Sequence, residues 1–197
     1  MVATILTSPT PSSSPLALIA SDMQALDQVI AQRLDTSVAM IGQVARYIIA
    51  AGGKRLRPAL VLLTAGALGV ASPDPYKPAA VVELIHTATL LHDDVVDEST
   101  MRRGRPTANE TFGNPASVLV GDFLHTRSFQ MMVEVGSLPI LKVLSDATNI
   151  IAEGEVMQLI NTHDADLDEA GYLHVIRSKT AKLFEASAQI AAQLAGV

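Results

Sequence analysis

The sequence of 197 residues contains no cysteine and no tryptophan, and aromatic residues make up only 4% of it. Without cysteine, a disulfide framework and a thiolate metal site are both excluded. Sandwiches and barrels of β-strands are rich in aromatic and β-branched residues, so the scarcity of aromatics argues against an all-β fold. The chain is long enough to bury a sizeable core, as one domain or as part of a larger one.

Charged residues are also scarce, and their balance is acidic. The 20 acidic and 14 basic residues give a net charge of −6, which argues against broad electrostatic binding to nucleic acid. No apolar run approaches the roughly 18 residues that cross a bilayer. No basic residue precedes Arg33, and the apolar stretch at 16–20 is too short for a signal peptide. We therefore expect a cytoplasmic protein without a transmembrane segment.

The spacing of hydrophobic residues predicts an all-α fold. Residues 1–15 are rich in Ser, Thr and Pro and are predicted to be a disordered tail, which leaves 16–197 for the folded part. Apolar residues recur at helical spacing from there on, with breaks at glycine, proline and polar clusters. The predicted helices span about 16–51 with a break at 35–37, 58–68, 79–98, 114–135, 139–161 and 169–194. This pattern favours a bundle of long helices with short connections.

An acidic cluster, LHDDVVDE at 91–98, ends the third of these helices. Asp93 and Asp97 are four residues apart, so both carboxylates leave the same helix face, where like charges destabilise the helix. Carboxylate oxygens suit a hard cation such as Mg²⁺, which is typically held by one or two carboxylates together with substrate phosphates. Taken alone, such a pair is more often a solvated, acidic helix end.

Two short runs hold six of the 14 basic residues, and each run lies beside glycine. They are Lys54, Arg55 and Arg57 after Gly52-Gly53, and Arg102, Arg103 and Arg105 around Gly104. Glycine lets the backbone approach a phosphate closely, and a guanidinium binds phosphate oxygens two at a time. Either run alone could be a surface loop that pairs with nearby acids. Carboxylates and arginines within ten residues of each other favour a metal–diphosphate site.

The chain resembles the trans-type polyprenyl diphosphate synthases over about residues 38–197, and most of all their bacterial long-chain members. Five segments in the expected order carry the resemblance: GGKRLRP (52–58), LLHDDVVDESTMRRGRPT (90–107), GDFLHTRSF (121–129), EGEVMQL (153–159) and SKTAKLFEAS (178–187). It implies helices around a central cavity, as in isoprenoid synthases. It also implies a Mg²⁺-dependent enzyme that condenses isopentenyl diphosphate with an allylic diphosphate into a long-chain (about C40) all-trans product.

The resemblance further implies a role for individual residues. Mg²⁺ would bind Asp93 and Asp97 with support from Asp94, and these three would form the catalytic set with Lys179. Isopentenyl diphosphate would be held by Lys54, Arg57, His86 and Arg103. The allylic diphosphate would be contacted by Arg102, Lys179 and Thr180. His86 depends most on the resemblance, because a lone histidine on an apolar helix is more often a core residue.

Product length would depend on the residues one turn before the first aspartate. Bulky aromatics near these positions close the pocket early in the family, whereas this sequence has Ala88 and Thr89 there. Small side chains favour a long product, and replacing either residue with phenylalanine should shorten it. Two alternatives stay open: a shorter-chain synthase that makes farnesyl or geranylgeranyl diphosphate, and a non-catalytic subunit that binds prenyl diphosphates.

Members of the family carry a second aspartate-rich motif, and this sequence has only one DDxxD. We expect the second motif to lie beyond Val197, so that residues 16–197 are the N-terminal part of one prenyltransferase domain. The 197-residue chain would then be inactive or weakly active by itself. The resemblance also implies a homodimer.

Overall fold

The structure is a computed structural model that describes residues 14–197. The predicted disordered tail therefore lies outside the described residues, except for Ser14 and for Pro15, which opens a 3₁₀ turn at Pro15–Ile19. The helices are α1 (Ala20–Arg33), α2 (Ala39–Ala50), α3 (Leu56–Ala67), α4 (Tyr76–Val96), α5 (Ala108–Phe112), α6 (Asn114–Val135), α7 (Leu138–Ile160), α8 (Glu169–Ile176) and α9 (Lys182–Ala195). The predicted all-α class is confirmed.

Two short elements interrupt the helices. A hairpin of β1 (Met101–Arg102) and β2 (Arg105–Pro106) connects α4 to α5, and a π-helical turn at Arg177–Ala181 joins α8 to α9. Neither has a periodicity long enough to read from sequence, and the same holds for the five-residue α5. The other helix bounds lie within about four residues of the predicted ones, the normal uncertainty of such boundaries. The single helix predicted over 169–194 is wrong in one respect, because the π-helical turn divides it into α8 and α9.

The centre of the bundle is α4, which packs against α1, α3 and α6. Four consecutive residues near its start, Ala79–Val82, are fully buried, so this part of the helix is enclosed on every side. Gly121 of α6 lets the two helices approach, because a Cβ there would overlap the His92 ring. This packing fixes the position of the α4 C-terminus, where the acidic cluster lies.

The helical run from α8 through the π-helical turn to α9 packs against the other helices beside α4. α9 packs against α3 and α7 and also touches α4, so residues from the end of the sequence face those of the first basic run. Leu183 and Ile190 of α9 belong to the common hydrophobic core. Among residues 14–197, no helix combines the length and the apolarity that a bilayer crossing needs.

Candidate active site

The acidic cluster occupies the last turn of α4. Asp97 caps the helix, and its backbone N–H donates to the Asp93 carbonyl at 2.7 Å, which keeps the two residues in helical register. Glu98 follows in the left-handed region at φ 51° and ends the helix. The carbonyl end of a helix disfavours negative charge, so a nearby cation would stabilise two carboxylates on one face here.

Asp94 lies on a neighbouring face of α4 and is 0% exposed. Its carboxylate accepts from Arg102 Nε at 3.0 Å on each oxygen and from Arg102 Nη2 at 2.7 Å on Oδ1. The hydrogen bond to Asp94 raises the pKa of Arg102 against the opposing effect of partial burial. This ion pair ties the hairpin to α4 and uses part of the guanidinium that sequence assigned to the allylic diphosphate.

The second basic run forms the hairpin turn. Arg103 and Gly104 join the strands, and both have positive φ, 53° and 76°, the conformation that matches the twist of a two-residue hairpin. The turn sends Arg102 toward Asp94 and Arg103 toward the first basic run. A Cβ on Gly53 would overlap the Arg103 guanidinium, so glycine at this position lets the two basic runs meet.

The hairpin is anchored on α2 by two hydrogen bonds. Tyr47 Oη donates to the Pro106 carbonyl at 2.7 Å, and Arg105 Nη1 donates to the Ala50 carbonyl at 3.2 Å. Both contacts lie behind the turn that carries Arg103. Arg105 thus supports the hairpin, although it belongs to the same run in the sequence as Arg102 and Arg103.

A basic cavity of about 480 Å³ lies between the two runs and α4. It is lined by all four residues predicted to hold isopentenyl diphosphate: Lys54, Arg57, His86 and Arg103. Arg55, the remaining member of the first run, pairs with Asp27 of α1 and lies 3.9 Å from the Glu83 carboxylate. Glu83 and Phe184 also line the cavity, and sequence reasoning gave no role to either.

Burial governs the protonation of the groups in this cavity. Burial and the positive charges of Arg57, Arg103 and Arg102 lower the pKa of His86 to about 3, so the imidazole is neutral at pH 7. Burial raises the pKa of Glu83, against the opposing charges of Arg55, Arg57 and Arg103. Burial also lowers the pKa of Arg57. The cavity therefore presents a neutral imidazole among fixed cations, an arrangement suited to an anion.

Lys179 meets the acidic cluster from the opposite side. Its Nζ lies 2.6 Å from Glu155 Oε2 on α7 and 3.6 Å from Asp93 Oδ2. Burial lowers the pKa of Lys179, but the hydrogen bond to Glu155 and the charges of Asp93, Glu155 and Asp97 outweigh it, and the net shift is upward. Gly154 permits this approach, because a Cβ there would lie 2.8 Å from the Lys179 backbone N.

The donor set at the end of α4 fits a partial Mg²⁺ site. Burial raises the pKa of Asp93, opposed first by Lys179, which describes a carboxylate that lacks solvent and gains from a cation. Within residues 14–197, no three carboxylate or imidazole side chains stand close enough to enclose a metal by themselves. Two carboxylates that leave the other ligands to phosphate and water match the way Mg²⁺ is usually held.

Three further predicted residues lie around this centre. Thr180 is exposed, next to Lys179 in the π-helical turn. Ala88 is 1% exposed and belongs to the hydrophobic core. Thr89 is half-buried, and its hydroxyl donates to the His86 carbonyl at 2.8 Å. The roles predicted for these residues stay predictions.

Comparison with known proteins identifies the family. Residues 38–197 match the polyprenyl synthetase family model. The chain belongs to the polyprenyl synthetase family. It is 55% identical to octaprenyl diphosphate synthase of Escherichia coli over 91% of the chain and 55% of that protein. The chain thus spans about half the length of the curated relatives it matches, and the predicted resemblance to this family is confirmed.

Solved structures of family members share the fold of this chain. A decaprenyl diphosphate synthase from Rhodobacter capsulatus superposes with a TM-score of 0.90 at 47% identity, over 93% of this chain and 57% of that one. A polyprenyl synthase from Caulobacter crescentus, complexed with calcium and isoprenyl diphosphate, superposes with a TM-score of 0.91 at 47% identity, over 96% and 58%. The predicted isoprenoid synthase-like architecture is therefore confirmed.

Proposed function

We propose that this chain is part of a Mg²⁺-dependent prenyltransferase that adds isopentenyl diphosphate to an allylic diphosphate and makes a long-chain all-trans product. The observation that supports the proposal most strongly is the pairing of two unlike half-sites. The basic cavity carries fixed cations and a neutral imidazole, and the end of α4 carries two carboxylates beside Lys179. The two half-sites are only a few residues apart along the same helix.

The basic cavity is the proposed isopentenyl diphosphate site. Arg57 and Arg103 bind diphosphate oxygens through their forks, Lys54 adds a third charge, and the neutral His86 donates one hydrogen bond. This site needs no metal, because its cations are side chains. Leu90 and Ile48 supply apolar wall in the same cavity, which suits the hydrocarbon part of the substrate.

The end of α4 is the proposed allylic diphosphate site, with Asp93 and Asp97 as the residues that would hold Mg²⁺. Bound metal would neutralise charge that grows on the diphosphate as the allylic C–O bond breaks. Lys179, Thr180 and Arg102 hold the same leaving group from the protein side. The double bond of isopentenyl diphosphate then attacks the allylic carbon and forms the new C–C bond, which leaves a positive charge on the isopentenyl unit. The carbon next to that charge loses a proton to the released diphosphate, and a new double bond forms.

Binding measurements on the 197-residue chain test the two half-sites separately. Calorimetry should show isopentenyl diphosphate binding without metal and farnesyl diphosphate binding only with Mg²⁺. Replacing Asp93 and Asp97 with asparagine should abolish the second and spare the first, whereas Arg103→Gln with Lys54→Gln should do the reverse. Equal losses of both ligands in the two double variants would contradict the proposed division.

We also propose that the protein forms a homodimer and acts in the cytoplasm, as the resemblance implies. Four apolar residues of α6 are exposed in the described chain: Val118, Leu119, Phe129 and Val133. An exposed apolar stripe on a long helix is a typical protein interaction surface. Sedimentation of the wild type and of Leu119→Glu tests the proposal, and a wild-type monomer at micromolar concentration would contradict it.

A further inference from the structure

Three arginines near the site are held in two different ways. Arg102 is held by the Asp94 carboxylate and Arg55 by the Asp27 carboxylate, so hydrogen-bond donors of both are already occupied. Within residues 14–197, Arg57 forms no ion pair, and its buried Nε has no hydrogen-bond partner. A charged side chain without an ion pair or a hydrogen bond at this nitrogen would normally sample several rotamers, and it would lose conformational entropy when it binds a ligand.

One contact does fix Arg57. Its guanidinium carbon lies 4.5 Å from the ring centroid of Phe184, within the range of a cation–π interaction. Phe184 is half-buried on α9 and lines the same basic cavity. An aromatic face orients a planar cation without accepting a hydrogen bond from its N–H groups. The arginine is therefore oriented while its fork stays free for an anion.

The neighbouring carboxylate does not replace this contact. Burial lowers the pKa of Arg57 and the charge of Glu83 only partly offsets this, and no hydrogen bond joins the two side chains among the described residues. A closer carboxylate would compete with a bound diphosphate for the same donors. The ring supports Arg57 without such competition, which is what an anion site requires.

We propose that Phe184 is a positioning residue that orients Arg57 for diphosphate in the basic cavity. The inference rests on the proposed function, since it assigns this cavity to a diphosphate. It also gives the helical run from α8 to α9 a second link to the site, because Lys179 of the π-helical turn precedes Phe184 of α9 by five residues. The helical run from α8 to α9 thus contributes to both half-sites.

Inorganic pyrophosphate without metal is the probe, and three variants of the 197-residue chain separate ring from bulk. Phe184→Met keeps an apolar side chain of similar length and loses the ring, and it should weaken pyrophosphate binding about three- to tenfold, the effect of one partly desolvated cation–π contact. Phe184→Tyr keeps the ring and should bind as the wild type does. Phe123→Met is the matched control. The guanidinium carbon of Arg127 lies 4.9 Å from the ring centroid of Phe123, so the two residues form a similar pair on α6, outside the cavity.

A double-mutant comparison separates positioning from a general loss of packing. In an Arg57→Ala background, Phe184→Met should change pyrophosphate affinity by less than about twofold, because its effect requires the guanidinium. An effect of the same size in both backgrounds would overturn the proposal. So would a Phe184→Tyr variant as weak as Phe184→Met.

A ligand-free measurement keeps the inference distinct from the proposed function. The Arg57 side-chain N–H signal, assigned in ¹⁵N-arginine-labelled chain by Arg57→Lys, should show an upfield ring-current shift that Phe184→Met removes. An unchanged signal in Phe184→Met would overturn the contact itself. A ring-shifted Arg57 signal in a wild-type chain that binds no pyrophosphate would support the contact and contradict the proposed function.

Discussion

Arg102 holds the fully buried carboxylate of Asp94 through three hydrogen bonds of 2.7–3.0 Å, and this ion pair distinguishes Asp94 from the other two aspartates of the motif. The sequence places Asp93 and Asp97 on one helix face and the resemblance gives Asp94 a supporting role, but neither shows what the Asp94 carboxylate contacts. In the structure, Asp93 and Asp97 face the side where Lys179 approaches, whereas Asp94 fastens the hairpin that carries Arg103. The same motif therefore contains the two carboxylates proposed to hold metal and a third carboxylate that anchors the hairpin.

The first prediction follows from this difference. Asp94→Asn should lower the free energy of unfolding by about 2–4 kcal/mol, because it leaves a half-buried guanidinium without its partner. Asp97→Asn should change stability by less than about 0.5 kcal/mol, since Asp97 is exposed and repels Asp93. Urea denaturation of the two variants gives the comparison, and equal destabilisation would show that Asp94 has no special structural role.

The second prediction concerns Lys179 as an internal counter-ion. Its ammonium group occupies the region between Asp93 and Glu155, so it competes with a metal when no diphosphate is bound. Lys179→Met should therefore tighten the binding of Mg²⁺ alone at least about fivefold, because removing a like charge at about 4 Å is worth about 1 kcal/mol even at the dielectric constant of bulk water. The same variant should weaken Mg²⁺-dependent binding of farnesyl diphosphate.

Lys182→Met is the matched control, because Lys182 pairs with Glu185 on the same helical run. It should leave both affinities unchanged. Weaker binding of Mg²⁺ alone by Lys179→Met would mean that the lysine organises the carboxylates instead of competing for them.

Sequence reasoning found the residues whose signal is local. The i, i+4 spacing of Asp93 and Asp97 and the glycines beside the basic runs follow from helix geometry and backbone freedom, and the structure shows both. Glu83 had a readable signal too, because it continues the same face of α4 at spacings of three and four residues before His86, Leu90 and Asp93. Its burial in a cationic cavity distinguishes it from an ordinary surface acid.

The partners of Arg102 and Arg57 depend on tertiary packing and could not be predicted from the sequence. The partner of Arg102 depends on where the hairpin turns, and the turn depends on positive φ at Arg103, a residue type that rarely adopts it. Phe184 reaches Arg57 only because α9 packs against α3. The two residues are 127 positions apart in the sequence (184 − 57), so no local pattern predicts the contact.

The third prediction uses the low pKa of His86. With a folded-state pKa of about 3, the buried imidazole stays neutral, whereas the unfolded chain takes up a proton below about pH 6.5. Stability from this residue is therefore complete above pH 6.5 and is lost as the pH falls toward 3. Between pH 7 and pH 5 the loss should be about 2 kcal/mol.

His86→Gln removes the titration and keeps a neutral hydrogen-bonding side chain. Urea denaturation without ligand measures the free energy of unfolding of both proteins at pH 7 and pH 5. The decrease between these two pH values should be about 2 kcal/mol smaller for His86→Gln than for the wild type. His163→Gln in the loop after α7 is the control and should keep the wild-type profile. Parallel profiles for wild type and His86→Gln would contradict a buried neutral imidazole.

The fourth prediction tests the proposed chain-length pocket. Ala88 is a poor site for the test, because phenylalanine in a fully buried core position should cost about 1–3 kcal/mol by overpacking alone. Thr89 is half-buried and can accept a larger side chain with less strain. Thr89→Phe should weaken Mg²⁺-dependent binding of long allylic diphosphates, with little effect on geranyl diphosphate, because the ring would block only the far end of the tail.

Thr126→Phe is the control for this prediction, because it adds the same bulk to the exposed face of α6. It should bind allylic diphosphates of every chain length as the wild type does. Equal weakening for short and long tails in Thr89→Phe would place the growing chain elsewhere in the molecule.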